Sequence, residues 1–292
     1  MKRFLPGCSV VLLLTACGER QLEPDAEIVC DQCDRWNQPQ EPFRIHGNTW
    51  YVGTAGLASI LIETADGLVL VDGGLPQSAP LIVANIRGMG CDTRDVTAIL
   101  VSHAHFDHAG GVAAVQRLSG ANVYTSPRGR DSLVSGRLES DDPQYVAASD
   151  DGSFPQVRQV VTVNDGEVVS VGGVDIKAVF TPGHTPGGVT WTWQSCALST
   201  CYNVVYADSL TSVSAPGFEY SSSGAANDII TSAGIIGDLD CDILLTPHPF
   251  FFGMQDKLER IDAGNPFIND LACVLYAESM IGWLEQRLDA ER

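Results

Sequence analysis

The segment at residues 102–111 constrains this chain more than any other part of its sequence. It reads Ser-His-Ala-His-Phe-Asp-His-Ala-Gly-Gly and follows an apolar run at 96–101 that is typical of a buried strand. Residues two apart in an extended segment point to the same side, so His103 and His105 can reach a common point. Asp107 and His108 follow, where glycines permit a turn into a helix. Four potential metal ligands therefore stand where a predicted strand ends.

Two more histidines occupy similar surroundings. His184 lies directly after the predicted strand Val174–Phe180, and His248 lies directly after a predicted strand at 242–245. The chain has 6 histidines, and the remaining one, His46, precedes the first strand and is interpreted as structural. Catalytic zinc keeps about three protein ligands and an open position, so two ions need about six ligands. The candidate ligands are His103, His105, Asp107, His108, His184 and His248.

The composition and net charge of the chain limit the kinds of molecule that it can bind. The chain has 292 residues, and 45% hydrophobic with 18% charged residues is an ordinary globular composition. Its formal net charge is −19, which repels nucleic acid. We therefore expect a small-molecule substrate and no nucleic-acid partner.

The N-terminus has the layout of an export signal. Lys2 and Arg3 precede an apolar run at 10–14, and small residues precede Cys17. We expect a signal peptide at 1–16 and a periplasmic protein. The small residues fit a lipoprotein box, in which Cys17 carries lipid and anchors the chain, and ordinary cleavage nearby is the alternative. Residues 17–41 are mostly polar and predict a tether to a single domain at 42–292.

Cysteine usage agrees with an oxidising compartment, where disulfides persist. Cys196 and Cys201 flank a probable hairpin connection, and Cys241 and Cys273 bracket the C-terminal segment, so each pair is a candidate bridge. Three further cysteines stay unassigned: Cys30, Cys33 and Cys91.

The hydrophobic pattern predicts an α/β fold. Short apolar runs predict strands at 50–52, 58–62, 68–71, 96–101, 122–125, 168–171, 174–180, 189–193, 204–206 and 242–245. Helical patterns occur at 76–89, 110–118, 227–236 and 269–288. Residues 127–160 are polar and irregular, and we expect a loop beside the site. Each half offers strands and then helices, which predicts two sheets packed face to face with helices outside.

Taken together, these motifs resemble the metallo-β-lactamase superfamily. The resemblance covers about residue 44 to the C-terminus and implies an αββα four-layer sandwich. The sequence around Asp208, Tyr-Ala-Asp-Ser-Leu-Thr, and around His248, Leu-Leu-Thr-Pro-His-Pro, is similar to subclass B3 β-lactamases. The superfamily motifs are His103-x-His105-x-Asp107-His108, Asp72 in Leu-Val-Asp-Gly-Gly, His184 in Gly-His-Thr-Pro-Gly, Asp208 and His248.

The resemblance implies a role for each motif residue. A first zinc ion would be held by His103, His105 and His184, and a second by Asp107, His108 and His248. Asp107 would also orient the attacking water that the ions activate. Asp72 and Asp208 would fix histidine orientation. For Asp208 a metal-ligand role is the alternative, because an aspartate bridges both metals in other branches of the superfamily.

Substrate contacts are also implied. Ser209 and Thr211 match hydroxyl positions that subclass B3 enzymes use near the substrate carboxylate, and a plain strand-end turn is the alternative interpretation. The family's tyrosine after this segment matches either Phe218 or Tyr220. Some relatives pair a cysteine at the position of Ala55 with one resembling Cys30, and that bridge cannot form here.

We therefore predict a zinc-dependent β-lactamase that hydrolyses the amide of penicillins, cephalosporins or carbapenems and confers antibiotic resistance. The rival prediction is a lactonase or thioesterase on the same dizinc scaffold, because fold does not fix the substrate. A third hypothesis is an anchored zinc-binding protein without catalysis, against which the open metal positions argue.

Overall fold

In the computed structural model, residues 21–147, 149, 152–261 and 264–292 are described. A first sheet of 7 strands runs in chain order across the molecule. Its strands are β1 (Phe43–His46), β2 (Thr49–Tyr51), β3 (Ile60–Thr64), β4 (Gly67–Val71), β5 (Val96–Leu100), β6 (Asn122–Thr125) and β7 (Val160–Thr162). Pairing is antiparallel from β1 to β4 and parallel from β4 to β7.

A second sheet of 5 strands comes from the later part of the chain. Its strands, in sequence order, are β8 (Val168–Val171), β9 (Val174–Phe180), β10 (Val189–Ala197), β11 (Thr200–Tyr206) and β12 (Ile243–Leu245). The spatial order is the reverse, from β12 to β8. Only the β11–β12 pair in this sheet is parallel within the described residues.

Helices lie between and after the strands. They are α1 (Cys33–Trp36), α2 (Ala79–Gly88), α3 (Phe106–Ala109), α4 (Val112–Ser119), α5 (Pro127–Ser135), α6 (Ala225–Gly237), α7 (Met254–Leu258) and α8 (Ala272–Ala290). Short 3-10 turns occur at Pro76–Ser78, Thr93–Asp95, Tyr220–Ser222 and Pro249–Phe252.

Alternating side chains divide the core into layers. Ile60 and Ile62 of β3 lie in one buried cluster with Trp191 of β10, between the two sheets. Leu61 points the opposite way and packs in a second cluster with Ile82 of α2 and residues of α4. Helices α6 and α8 cover the outer face of the second sheet. The predicted αββα sandwich is therefore confirmed.

The prediction of an irregular loop at 127–160 is wrong for its first part. Residues 127–135 form α5, which the Ser126 side chain caps by accepting from Gly129 N at 3.0 Å. Pro127 suits the first helical position, and Gly136 ends the helix at a φ of +69°. The sequence therefore contained the residues that begin and end a helix, although the helix has little apolar periodicity. The remainder of this segment does lie beside the site.

The segment expected to be a tether contacts the domain over its described part. The Ile28 backbone exchanges hydrogen bonds with the Gln77 side chain, at 3.1 and 2.7 Å. Cys33 of α1 is buried, and Trp36 packs against His248. The predicted signal at 1–16 and Cys17 lie outside the described residues. No described helix has both the length and the apolar character needed to cross a bilayer.

Three disulfides occur among the described cysteines. Both predicted bridges, Cys196–Cys201 and Cys241–Cys273, are present. Of the unassigned cysteines, Cys30 pairs with Cys33, and Cys91 has a free thiol. His46 packs edge-on against Tyr202, with ring centroids 4.8 Å apart, in agreement with a structural role.

Candidate metal centre

The candidate ligands lie just beyond strands of both sheets. His103 and His105 follow β5, and His105 is the N-terminal flanking residue of α3. Asp107 and His108 lie inside α3, so a single turn of chain brings four ligands together. The second sheet supplies His184, between β9 and β10, and His248, after β12.

Two groups of ligand atoms form at this junction. One comprises His103, His105 and His184, and the other comprises Asp107, His108 and His248. Within each group the potential ligand atoms lie within 4.8 Å of one another. All of these residues are buried except His248, which is partly exposed. The structure therefore brings together all six residues that the sequence predicted as ligands.

Hydrogen bonds fix the rings of the first group. His103 Nδ1 lies 2.7 Å from Asp208 Oδ1, and His184 Nδ1 donates to Thr211 O at 2.8 Å. A carbonyl oxygen can only accept, so the other nitrogen of His184, Nε2, keeps a free lone pair. His103 Nε2 is buried and has no hydrogen-bond partner in the described part of the chain. A buried imidazole nitrogen without a hydrogen-bond partner fits a metal ligand.

The second group is arranged around one carboxylate. Asp107 Oδ2 lies 3.3 Å from His108 Nε2 and 3.4 Å from His248 Nε2. His248 Nδ1 donates to Gly56 O at 3.3 Å, which leaves its Nε2 facing the carboxylate. Neither nitrogen of His108 has a hydrogen-bond partner among the described residues. The donor set of one carboxylate and two imidazoles suits zinc.

Burial keeps most of these histidines in the form that binds metal. Burial, with the neighbouring His105, lowers the pKa of His184 to about 3. Burial, with the neighbouring His108, lowers the pKa of His248 to about 4. For Asp107, burial opposes ionisation, but the adjacent His108 outweighs it and holds the pKa of the carboxyl well below its usual range. Neutral His184 and His248 and an ionised Asp107 are therefore ready at neutral pH. For His108, burial opposes protonation, but the adjacent Asp107 carboxylate outweighs it and raises the pKa, so this imidazole releases a proton when a metal binds.

Asp72 occupies a strained position behind the site. Its φ is +58°, a left-handed conformation that is uncommon outside glycine. The carboxylate accepts from Ser102 N at 2.8 Å, from Ser102 Oγ at 2.7 Å and from Tyr206 Oη at 2.8 Å. We expected Asp72 to orient a histidine directly. Its hydrogen bonds instead hold Ser102, the residue before His103.

The predicted substrate residues lie next to the first group. Thr211 Oγ1 is 3.0 Å from His184 Nδ1, and Ser209 Oγ is buried without a hydrogen-bond partner in the described residues. Of the two aromatic candidates, Tyr220 is buried and donates to Val213 O at 3.0 Å. Phe218 packs edge-on against Tyr220, with ring centroids 5.1 Å apart.

Two residues that sequence reasoning missed contact the first group from the segment after α5. His105 Nε2 lies 3.2 Å from both carboxylate oxygens of Asp142, so His105 Nδ1 turns towards the other ligands. Gln144 Nε2 lies 3.3 Å from His105 Nδ1 and 3.5 Å from His184 Nε2. A metal would use those same lone pairs, so the Gln144 amide has to move aside when one binds. The Asp-Asp-Pro-Gln run carries no periodicity that could have revealed these contacts.

A cleft of about 810 Å³ opens beside the second group. His248 and Thr211 lie in its wall, and Trp36 faces them from the N-terminal segment. The ring centroids of Trp36 and His248 are 5.3 Å apart. A substrate that reaches the candidate ligands therefore has an adjoining space for its substituents.

Comparison with known proteins decides the family. The model of the metallo-beta-lactamase superfamily matches residues 55–196. The solved structure of the Rm3 metallo-beta-lactamase is 44% identical, with a TM-score of 0.87, over 90% of this chain and 99% of that one. The chain belongs to the metallo-β-lactamase superfamily. MEM-A1, a subclass B3 metallo-beta-lactamase from a soil metagenome library, is also 44% identical, with a TM-score of 0.84, over 88% of this chain and 98% of its own.

Two curated relatives match over less of their own length. An N-acyl homoserine lactonase from a Bacillus species is 29% identical over 156 residues, which are 44% of this chain and 54% of that protein. A probable polyketide biosynthesis zinc-dependent hydrolase from Bacillus velezensis is 28% identical over 33% of this chain and 34% of its own length. The chain thus covers only between a third and about half of the length of these two relatives.

Proposed function

We propose that this chain is a zinc-dependent β-lactamase of the subclass B3 type. One observation carries the proposal: two adjoining groups of three candidate ligands each, nearly all buried, lie at the edge of a substrate-sized cleft. Nitrogens of His103 and His108 in these groups lack hydrogen-bond partners among the described residues. The similarity to the Rm3 and MEM-A1 β-lactamases over nearly their whole length supports the same function.

The ligands fit two zinc ions per chain. His103, His105 and His184 would hold the first ion, and Asp107, His108 and His248 the second. Two bound zinc ions supply a water that ionises near neutral pH and positive charge that polarises an amide carbonyl. Chain residues then orient the ligands: Asp208 for His103, Asp142 for His105, Thr211 for His184 and Gly56 for His248.

Asp107 has the role of orienting the attacking water. Its carboxylate is ionised and lies between two histidines, so it can accept a hydrogen bond from a water molecule at this point. For Asp208 we propose the orienting role rather than a metal-ligand role, because its Oδ1 already contacts His103 Nδ1 at 2.7 Å.

We assign the binding of the substrate carboxylate to side-chain hydroxyl groups. Thr211 lies in the cleft wall, and the unpartnered Ser209 hydroxyl is two residues away. None of the lysines of the chain, Lys2, Lys177 and Lys257, is in a site motif. Hydroxyl donors together with zinc charge would therefore bind the anion.

The predicted export signal and the disulfides support a periplasmic location, with Cys17 as the candidate lipid anchor. A β-lactamase in that compartment would meet antibiotics before they reach their targets, which leads us to propose a role in resistance. Mass spectrometry of the protein after export would reveal acyl chains on Cys17.

The test of function is hydrolysis of a penicillin, a cephalosporin and a carbapenem by purified protein, followed by ultraviolet absorbance. We expect turnover to fall at least about a hundredfold after zinc is removed by a chelator, because the ions supply the nucleophile, and to return with added zinc. Zinc content measured on the same samples should be two ions per chain. Full turnover by zinc-free protein would contradict the proposal.

A lactonase is the second candidate, because the N-acyl homoserine lactonase similarity covers part of the same domain. Metal-activated water attacks esters as well as amides. Protein that holds two zinc ions, leaves all three β-lactams intact and opens a homoserine lactone or cleaves a thioester would favour this function.

A further inference from the structure

We propose that the cleft beside His248 binds an aromatic substituent of the substrate, with Phe250 as the residue that determines this preference. The inference rests on the proposed hydrolysis at the metal centre and adds a substrate class to it. Apart from His248, the aromatic residues that carry it lie outside the motifs that predicted the metal ligands.

A continuous aromatic face leads away from the candidate ligand His248. Trp36 lies against one side of the His248 ring, with centroids 5.3 Å apart. Phe251 lies 6.4 Å from His248, and Trp283 of α8 lies 5.5 Å from Phe251. All four rings are in the cleft wall. Because all four rings line the cleft, a further flat ring bound there can contact their exposed faces and edges.

Phe250 adjoins this face at Phe251, with ring centroids 5.4 Å apart, and is more exposed than Trp283. Its side chain is 78% exposed, although it directly follows Pro249 in the turn after His248. The turn is anchored by Phe252, which is 4% exposed and belongs to the main core, and it ends at Gly253 with a φ of +65°. Phe250 therefore contributes little to the core, and its ring is free to cover a bound molecule.

The cleft has the size and continuity that a substituent requires. Its volume of about 810 Å³ lies within the roughly 300–1,000 Å³ usual for small-molecule sites. His248 belongs both to the second ligand group and to the cleft wall. An amide held at the ligand groups can therefore extend a side chain directly over Phe251 towards Phe250. A flat apolar group gains most there, because water leaves both ring faces.

Matched substrates test the preference. One pair consists of penicillins with the same nucleus and either a benzyl or a methyl group on the acyl amide. The other consists of cephalosporins with the same acyl group and either an aromatic or a methyl substituent at position 3. We expect the wild-type kcat/KM to be higher for the aromatic member of at least one pair. The affected pair identifies the side of the β-lactam that enters the cleft.

The Phe250→Ala variant should lower the aromatic-to-methyl ratio of kcat/KM about tenfold, mainly through KM. Trp283→Ala should lower it in the same direction. Leu275→Ala serves as the matched control, because Leu275 is 54% exposed on α8 but lies outside the cleft wall, and its ratio should equal the wild-type ratio. An unchanged ratio for both substrate pairs in both cleft variants would overturn the proposal.

A binding measurement separates this inference from the proposed function. Ring-opened benzyl penicillin should quench tryptophan fluorescence of the full-length wild-type protein, and Phe250→Ala should weaken that binding about tenfold. If the methyl substrates are hydrolysed and the benzyl product binds both proteins equally, the aromatic site is refuted while the β-lactamase function stands. If no β-lactam is hydrolysed, the function fails, and product binding that is lost in Phe250→Ala still supports an aromatic site.

Discussion

Four of the five histidine rings at the candidate metal centre are oriented by an acceptor at the ring nitrogen that faces away from the centre. Backbone carbonyls of Thr211 and Gly56 accept from His184 and His248, and carboxylates of Asp208 and Asp142 contact His103 and His105. Acceptors on the far nitrogen fix both ring angle and tautomer, so the near nitrogen presents a lone pair. Metal affinity in this chain therefore depends on residues that never contact an ion.

Asp142→Asn tests this dependence. The substitution removes a charge that faces His105 Nε2 at 3.2 Å, so we expect zinc affinity to fall about 10–100-fold. Competition with a coloured chelator measures the affinity, and the absorption spectrum of the cobalt form reports altered ligand geometry. The control is Asp141→Asn, the exposed neighbour whose carboxylate pairs with Arg128 at 2.6 Å. Equal affinities for the two variants would contradict an orienting role for Asp142.

Sequence reasoning found the ligands but only part of their support. The six candidate ligands were predictable because histidines are few in this chain and five of the six follow predicted strands, three of them around Asp107. Asp142 and Gln144 were not, because their contacts to His105 and His184 depend on how a polar segment folds back over the site. The sequence predicted that Asp72 is a hydrogen-bond acceptor behind the site, but it did not predict the donor. Spacing along the chain cannot show that the Asp72 carboxylate accepts from Ser102.

At the scale of helices and strands, elements with a strong hydrophobic pattern were predicted from the sequence, and elements with a weak pattern were missed. Strands β9 and β8 were predicted with the bounds observed, because β-branched residues alternate between glycines and turns. Strand β1 was missed because only Ile45 in it is fully buried. Helix α5 was missed because Leu133 is its one large buried side chain among residues 127–135. Tertiary contacts stabilise such elements, and the local hydrophobic pattern of the sequence does not predict those contacts.

The end of α8 offers a prediction about pH. Glu291 joins this helix to the 3-10 turn at 220–222: its carboxylate accepts from Arg287 Nε at 2.6 Å, Tyr220 N at 3.0 Å and Ser221 N at 2.8 Å. Burial opposes ionisation, but these donors outweigh it and lower the pKa from 4.5 to about 2. The folded pKa is depressed, so the contribution to stability is present above pH 4.5 and is lost as pH falls towards 2.

Glu291→Gln should therefore lower the free energy of unfolding by about 1 kcal/mol near pH 7, as expected for lost hydrogen bonds to a charged group near the surface. The deficit should shrink steadily between pH 4.5 and pH 3. Urea unfolding at a series of pH values measures it. Glu285→Gln, an exposed change in the same helix, should show no such deficit. A deficit that stays constant down to pH 3 would rule out this account.

At the scale of the whole molecule, the candidate metal centre joins the two sheets. His103 and His105 follow a strand of the first sheet, whereas His184 and His248 follow strands of the second. Bound ions would therefore cross-link the halves of the sandwich, in addition to the core that already lies between them. Their binding free energy adds to the stability of the folded state alone, because the unfolded chain does not hold these ligands together.

Removing metal should consequently lower the unfolding temperature. A site exposed to free zinc at a hundred times its Kd gains about 2.7 kcal/mol of stability, and each kcal/mol corresponds to about 2–4 °C for a domain of this size. Scanning calorimetry with and without a chelator measures the change. His46→Ala, outside both ligand groups, should keep the full chelator effect, whereas His184→Ala should lose much of it. An identical chelator effect in these two variants would argue against stabilisation through the site.

The positions of the candidate ligands along the chain also bear on when zinc can bind during synthesis and folding. Each group draws a residue from beyond the β5–α3 segment, His184 in one case and His248 in the other. Neither group can be complete while only the N-terminal half has been synthesised, or before the second sheet has docked on the first. We therefore expect zinc to bind late, after the two sheets have come together, in contrast to small zinc modules whose ion initiates folding.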